Sequence, residues 1–237
     1  MSDLERLLDL QENDTATDRA RHRRATLPEL AAIAELDATE SSLRAAIARP
    51  TEERAVLSRE QKRLEDEVAT LTAKIAKVSH RLYDEGLTSP KEAQDLQAEL
   101  DSLQRHQRTL EDQILEVMEQ IEPLDAQITE ADDRLSAIAA DRDAQRASLA
   151  EAQGAIDAEI EGLVGARNAL VSPIPAGLLD EYERIRASSG GVGVARLSGP
   201  TCTGCHLSLA AAEVDAIRRA PADVYNHCPD CGRLLVP

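Results

Sequence analysis

A chain of 237 residues can hold one large domain or two small ones, but this one has no Phe or Trp and only three Tyr, which excludes a thick aromatic core. Its formal net charge is −17, and residues 1–171 hold 37 Asp+Glu against 21 Lys+Arg, so that stretch should repel nucleic acid and membranes of like sign. No apolar run approaches the roughly 18 residues of a membrane span, and Met1–Leu10 carries acids where a signal peptide needs bases, so the expectation is a cytoplasmic protein with no membrane partner.

In chain order, residues 2 to about 24 read as a first helix with an apolar face of Leu4, Leu7, Leu8 and Leu10. Its second half, Asn13 to Arg24, has almost nothing to bury, and the cations that end it (Arg19, Arg21, His22, Arg23, Arg24) suit the negative end of a helix dipole better than a phosphate. Thr26-Leu27-Pro28-Glu29 is a T-x-x-E capping signal, so the helix should break and restart there. From Ile33 to Leu82 apolar residues recur at steps of three, four and seven, and the same alternation returns from Leu96 to Ile138, which is the signature of a coiled-coil seam.

Between these runs, Tyr83 to Glu92 combines a left-handed stop at Gly86 with the helix start Ser89, Pro90 and Glu92, which predicts a hairpin tip at about 84–90. Stop and start signals so close disfavour the alternative of straight helices pairing with their own copies. A hairpin here pairs residues whose numbers total about 174, as Val78 with Leu96. It also places Arg142 opposite Ile33, Thr15 opposite Ile160, and Pro50 level with Pro123, where a shared kink is expected. The predicted fold is mostly α: a long antiparallel coiled-coil hairpin over 1–171, then 172–237 as a short helix at Leu178–Ala187 and a small α+β ribbon at about 190–237.

Cys202-x-x-Cys205 and Cys228-x-x-Cys231 lie 22 residues apart, a spacing normal for a zinc ribbon in which each pair forms a knuckle turn, with Gly204 and Gly232 easing the tight backbone. One structural Zn²⁺ held by Cys202, Cys205, Cys228 and Cys231 is closed to substrate and can supply folding energy that so few apolar residues cannot. A redox C-x-x-C lacks its βαβ setting, iron could occupy the same sulfurs, and His206 or His227 could replace a neighbouring cysteine; the complete four-cysteine set makes zinc the better reading.

Taken together, the opening L-L-D-L-Q, the tip from Leu82 to Glu92, the I-P-x-x-L-L-x-x-Y-E segment from Ile174 to Glu183, the G-G-V-G-V-A-R stretch and C-x-x-C…C-x-x-C-G-R-L-L resemble a family of bacterial coiled-coil hairpin proteins with a C-terminal C4-type zinc ribbon. The resemblance covers nearly the whole chain. It implies a regulator or adaptor, since some members look linked to flagellar gene control and protein secretion through an RNA or protein partner. The polar stretch Asn13–Arg24 departs from the family's stronger apolar repeat and puts the stability of the first helix in question.

Three functions follow from different classes. The first is a non-enzymatic adaptor, a monomer or weak homodimer, that presents its ribbon and hairpin tip to a protein partner, with Leu87 and Lys91 as tip contacts. The second is RNA or DNA binding through the ribbon, with Arg196, Arg218, Arg219 and Arg233 as candidate contacts; four acids offset them, and only Tyr225 is near to stack on a base. An enzyme is disfavoured by the lack of a nucleophile triad, a phosphate-cradling loop or a second metal set.

Overall fold

The computed structural model describes residues 2–84, 89–221 and 224–237. Gly86 and Leu87 at the predicted tip lie outside them. Helix α1 runs Asp3–Ala25, α2 Pro28–Tyr83, α3 Pro90–Val171 and α4 Ala176–Ser188, within two residues of the starts and stops read from sequence. Ser2 opens α1 by accepting from the Glu5 N–H while Glu5 accepts from the Ser2 N–H, which satisfies two donors that a helix start leaves bare. At α3 the Ser89 hydroxyl accepts from the Glu92 N–H at 3.2 Å, the cap expected there. The T-x-x-E box does not form as expected. Thr26 instead closes α1 by donating to the His22 carbonyl, and Glu29 accepts from Ser148 of α3.

The described residues divide into two compact units, Ile33–Ala144 and the pair Met1–Ala32 with Gln145–Pro237, and α2 and α3 contribute to both. The first unit is an antiparallel hairpin. Val78, Leu96 and Leu100 form one buried cluster, and Leu64, Leu110, Val117 and Ile121 another, as the 174 rule requires. Cross-arm ion pairs follow it near the tip, where Arg81 meets Glu92 and Lys74 meets Glu99. Arg142, however, reaches Asp37 and Glu40 rather than Ile33, because its long guanidinium finds carboxylates about a turn away. Pro50 and Pro123 both sit inside helices that continue through them.

In the second unit α1 runs antiparallel to the end of α3, held by Arg24–Asp157 at 2.7 Å and Arg23–Glu159 at 2.6 Å. These pairs total 181 and 182, beyond the expected 174, since the non-helical Thr26 and Leu27 break the phase between α1 and α2. Strands β1 (Val194–Ser198), β2 (Thr201–Cys202), β3 (Asn226–His227) and β4 (Leu234–Val236) form one sheet in the order β2-β1-β4-β3, with β1 and β4 parallel, and α5 (Ala211–Arg219) lies between β2 and β3 in sequence. Two cores flank this sheet. Leu7, Leu10, Leu178, Tyr182, Val194 and Leu234 join α1 and α4 to one face, while Ala195, Leu197, Val214, Ile217 and Leu235 surround the cysteines on the other.

Candidate metal centre

The two cysteine pairs fold into equivalent turns. In the first, the Cys202 N–H donates to Leu207 O and the His206 N–H to Cys202 O; in the second, the Cys228 N–H donates to Arg233 O and the Gly232 N–H to Cys228 O. The residue after each second cysteine takes the left-handed conformation, Gly232 at φ 70° and His206 at φ 62°. Gly232 thus has the role expected of it, but in the first turn His206 holds the strained position. Gly204 is needed for another reason: a Cβ there would lie 2.6 Å from the Arg233 side chain and 3.0 Å from Ala195.

These turns bring four sulfurs within 4.8 Å of one another, with Cys202 to Cys231 at 4.0 Å and Cys205 to Cys228 at 3.8 Å. A tetrahedral ion with metal–sulfur bonds of about 2.3 Å needs sulfurs about 3.8 Å apart, so the set fits one four-coordinate ion. Cys202 and Cys228 are buried and Cys205 and Cys231 half-buried. The site is therefore walled on one side by the core and complete without water. His206 is exposed, and His227 faces Glu181 of α4 at 3.2 Å, so neither belongs to the sulfur cluster.

Backbone N–H groups aim at the sulfurs, that of Gly204 at Cys202 from 3.4 Å. Burial pushes the Cys228 thiol up to about 12, against the N–H groups of Cys231 and Asp230 that favour its thiolate. At Cys231 burial also opposes the thiolate, but the Arg233 N–H and guanidinium and the Cys228 and Cys205 thiols outweigh it and bring that group down to about 7. At Cys205 the Leu207 N–H favours the thiolate, and burial with the neighbouring thiols of Cys231 and Cys202 raises it overall. Four sulfurs so close cannot all ionise without a cation among them, which is the chemistry of a metal site.

The site is braced by residues that hydrophobic periodicity passes over. In α1, Gln11, Asp14 and Thr17 are buried, so the polar half of this helix is not the weak solvated segment expected. The Gln11 amide donates to Gly191 O at 2.9 Å and accepts from the Gly193 N–H at 2.6 Å, engaging the backbone that leads into β1. Asp14 accepts from the Tyr182 hydroxyl at 2.9 Å and from Arg167 at 2.8 Å, and Arg186 pairs with Asp18. Burial pushes the Tyr182 hydroxyl far above its ordinary value, and the Asp14 charge adds to that. Gly193 lies so near Tyr182 that a Cβ would meet its ring and carbonyl at 2.7 Å. A signal was present in the sequence: Leu4, Leu7, Gln11, Asp14 and Asp18 keep the three-and-four spacing of a single helix face.

Of the candidate nucleic-acid residues, Arg233 is turned inward, donating to Val192 O at 3.0 Å and Ser189 O at 2.7 Å, and Arg218 donates to Gly199 O at 3.1 Å. Arg219 pairs with Asp215 on the exposed face of α5, and Arg196 is exposed on β1. In the basic end of α1, Arg23 and Arg24 pair with α3 and Arg21 with Asp18. Lys91 is exposed in the first turn of α3. No described helix is long and apolar enough to cross a membrane.

Compared with known proteins, residues 10–190 match the CT398-like coiled coil hairpin domain and residues 201–235 the C4-type zinc ribbon domain. An uncharacterized protein of Mycobacterium tuberculosis is 35% identical over 236 residues, which cover 97% of this chain and 93% of that one. A solved structure from Mycobacterium smegmatis is 30% identical, with a TM-score of 0.73 over 100% of both chains. The structure of CT398 from Chlamydia trachomatis, 21% identical, has the same fold at a TM-score of 0.68, covering 98% of this chain and 96% of the other.

Proposed function

Since this chain belongs to the family of CT398-like coiled-coil hairpin proteins, here with a C4-type zinc ribbon, we propose that it is a non-enzymatic adaptor or regulator that presents ribbon and hairpin to a protein partner. The supporting observation is the closed sulfur cluster. Four thiolates around one Zn²⁺ fill its coordination sphere, so the ion organises a surface rather than activating a substrate. The ribbon's charges also favour a protein: Arg218 and Arg233 are engaged by carbonyls of their own chain, which leaves little basic surface for phosphates. We place this work in the cytoplasm, away from membranes, with the protein acting as a monomer or weak homodimer; a reducing compartment suits the zinc thiolates.

Affinity capture from a native lysate with the intact protein, with Leu87→Glu at the tip and with Cys228→Ser tests this reading. Recovery of a nuclease-resistant protein partner that either change removes is the expected result. Recovery only of RNA or DNA, lost with Cys228→Ser and steeply weakened between low and physiological salt, would replace it with nucleic-acid binding by the ribbon.

A further inference from the structure

The hairpin unit Ile33–Ala144 is unevenly filled. Beyond the two prolines, toward the tip, seam residues such as Leu64, Leu110, Val117 and Ile121 are buried. On the other side of the prolines none of the large seam residues is; Leu36, Leu43, Ile47, Leu135 and Ile138 are all only half-buried. Between the arms at this level lies an open groove of about 680 Å³, with Leu43 and Ile138 as apolar lining and the exposed small residues Ala38, Ser42, Ala46 and Ala137 beside them. The side chains that would roof a two-helix seam are missing, so a third helix can approach closely.

The rim indicates what kind of helix this is. Glu35 and Asp141 line the groove, and their carboxylates enter no ion pair among the described residues, whereas Arg134, the basic residue at the edge, is paired with Glu130. The unit carries 26 Asp+Glu against 14 Lys+Arg. A second copy would bring the same acid against Glu35 and Asp141, so like charge disfavours it. We propose that this groove docks an amphipathic helix of a partner protein, with a narrow Leu/Ala stripe filling it and Lys or Arg on its flanks meeting Glu35 and Asp141. The proposal rests on the adaptor reading and assigns the hairpin a binding surface of its own.

The test uses the full chain and two synthetic peptides of about 20 residues, long enough to form helix, with one Leu/Ala face and either Lys or Glu on the rest. Binding is read by fluorescence anisotropy at low and physiological salt. The Lys peptide should bind, with affinity falling as salt rises, and the Glu peptide at least about tenfold more weakly. Ser42→Leu with Ala137→Leu fills the groove at exposed positions and should abolish binding. Glu35→Lys with Asp141→Lys, which leaves the packing untouched, should reverse the preference between peptides.

Equal binding to the filled variant would mean that the Lys peptide adheres to acidic helix anywhere, and would overturn the proposal, as would no binding to the native chain. Sedimentation velocity completes the test: a concentration-dependent dimer that the filled variant loses, without peptide binding, would make the occupant a second copy. A failed groove with successful capture of a Cys228-dependent partner leaves the adaptor reading standing. Failure of capture itself removes that reading.

Discussion

The hairpin arms and the ribbon-bearing unit solve the same shortage of large apolar residues in opposite ways. The arms repeat one weak contact many times, with Leu, Ile and Val meeting at helical spacing, so no single pair is decisive. The ribbon-bearing unit relies on a few contacts that occur once each: four sulfurs, one buried carboxylate between a tyrosine and an arginine, and one amide clasping a glycine segment. Redundant packing degrades gradually, while an unrepeated polar contact leaves its partner buried and unsatisfied when removed. The two units should therefore respond differently to damage.

The largest contrast comes from the metal. Zinc removal by a chelator, or Cys228→Ser, should withdraw roughly 10 kcal/mol or more of binding free energy from the ribbon. Residues 190–237 should lose protection from hydrogen exchange, while the helical circular dichroism of the arms stays nearly intact. Loss of the arms together with the ribbon would break the comparison.

Next is Asp14→Ala. The group is buried, and its loss leaves the Tyr182 hydroxyl and the Arg167 guanidinium without their acceptor, which should cost about 3 kcal/mol, at the low end for a buried pair because Arg167 is partly exposed. Urea midpoints should fall, with exchange rising first in α1 and at Gly191–Val194. Leu64→Ala, the most buried seam position, should cost about 2–3 kcal/mol. The same change at half-buried Leu43 should cost clearly less, and equal losses at the two positions would mean the seam is filled evenly after all.

The smallest effect is Tyr182→Phe, about 1.5 kcal/mol for a hydrogen bond to a charged acceptor. Its pH dependence sharpens the point. Because burial and the nearby Asp14 raise the folded-state pKa of Tyr182, its contribution is fully present below about pH 10, the unfolded value, and is lost above it as the unfolded chain ionises. Denaturation midpoints at pH 8 and pH 11 should therefore differ less in the variant than in the native chain.

The same contrast explains what could be read from the sequence. Seam periodicity, helix start signals and paired cysteines are local patterns, and from them the helix bounds, the tip cap at Ser89 and the four clustered sulfurs follow. The spacing of Gln11 and Asp14 puts them on the face of Leu4 and Leu7, but their role was not legible because their partners lie far away in the chain, and a polar residue on an apolar face reads as a defect until those partners are seen. Arg233 misleads for a similar reason: as a cation two residues after a cysteine it suggests a phosphate contact, but the carbonyls of Ser189 and Val192 already hold it. His206 in the left-handed conformation has no sequence signal, since glycine is the residue that announces such a turn.

The clasp of Gln11 on Gly193 also constrains how the protein is made. The two residues are 182 positions apart, so at roughly 5–20 residues per second α1 leaves the ribosome some 10 to 40 seconds before its partner is synthesised. During that interval the arms can already zip from their tip, while Gln11 and Asp14 must wait in water. A helix translated long before the ribbon is thus among the last to find its place.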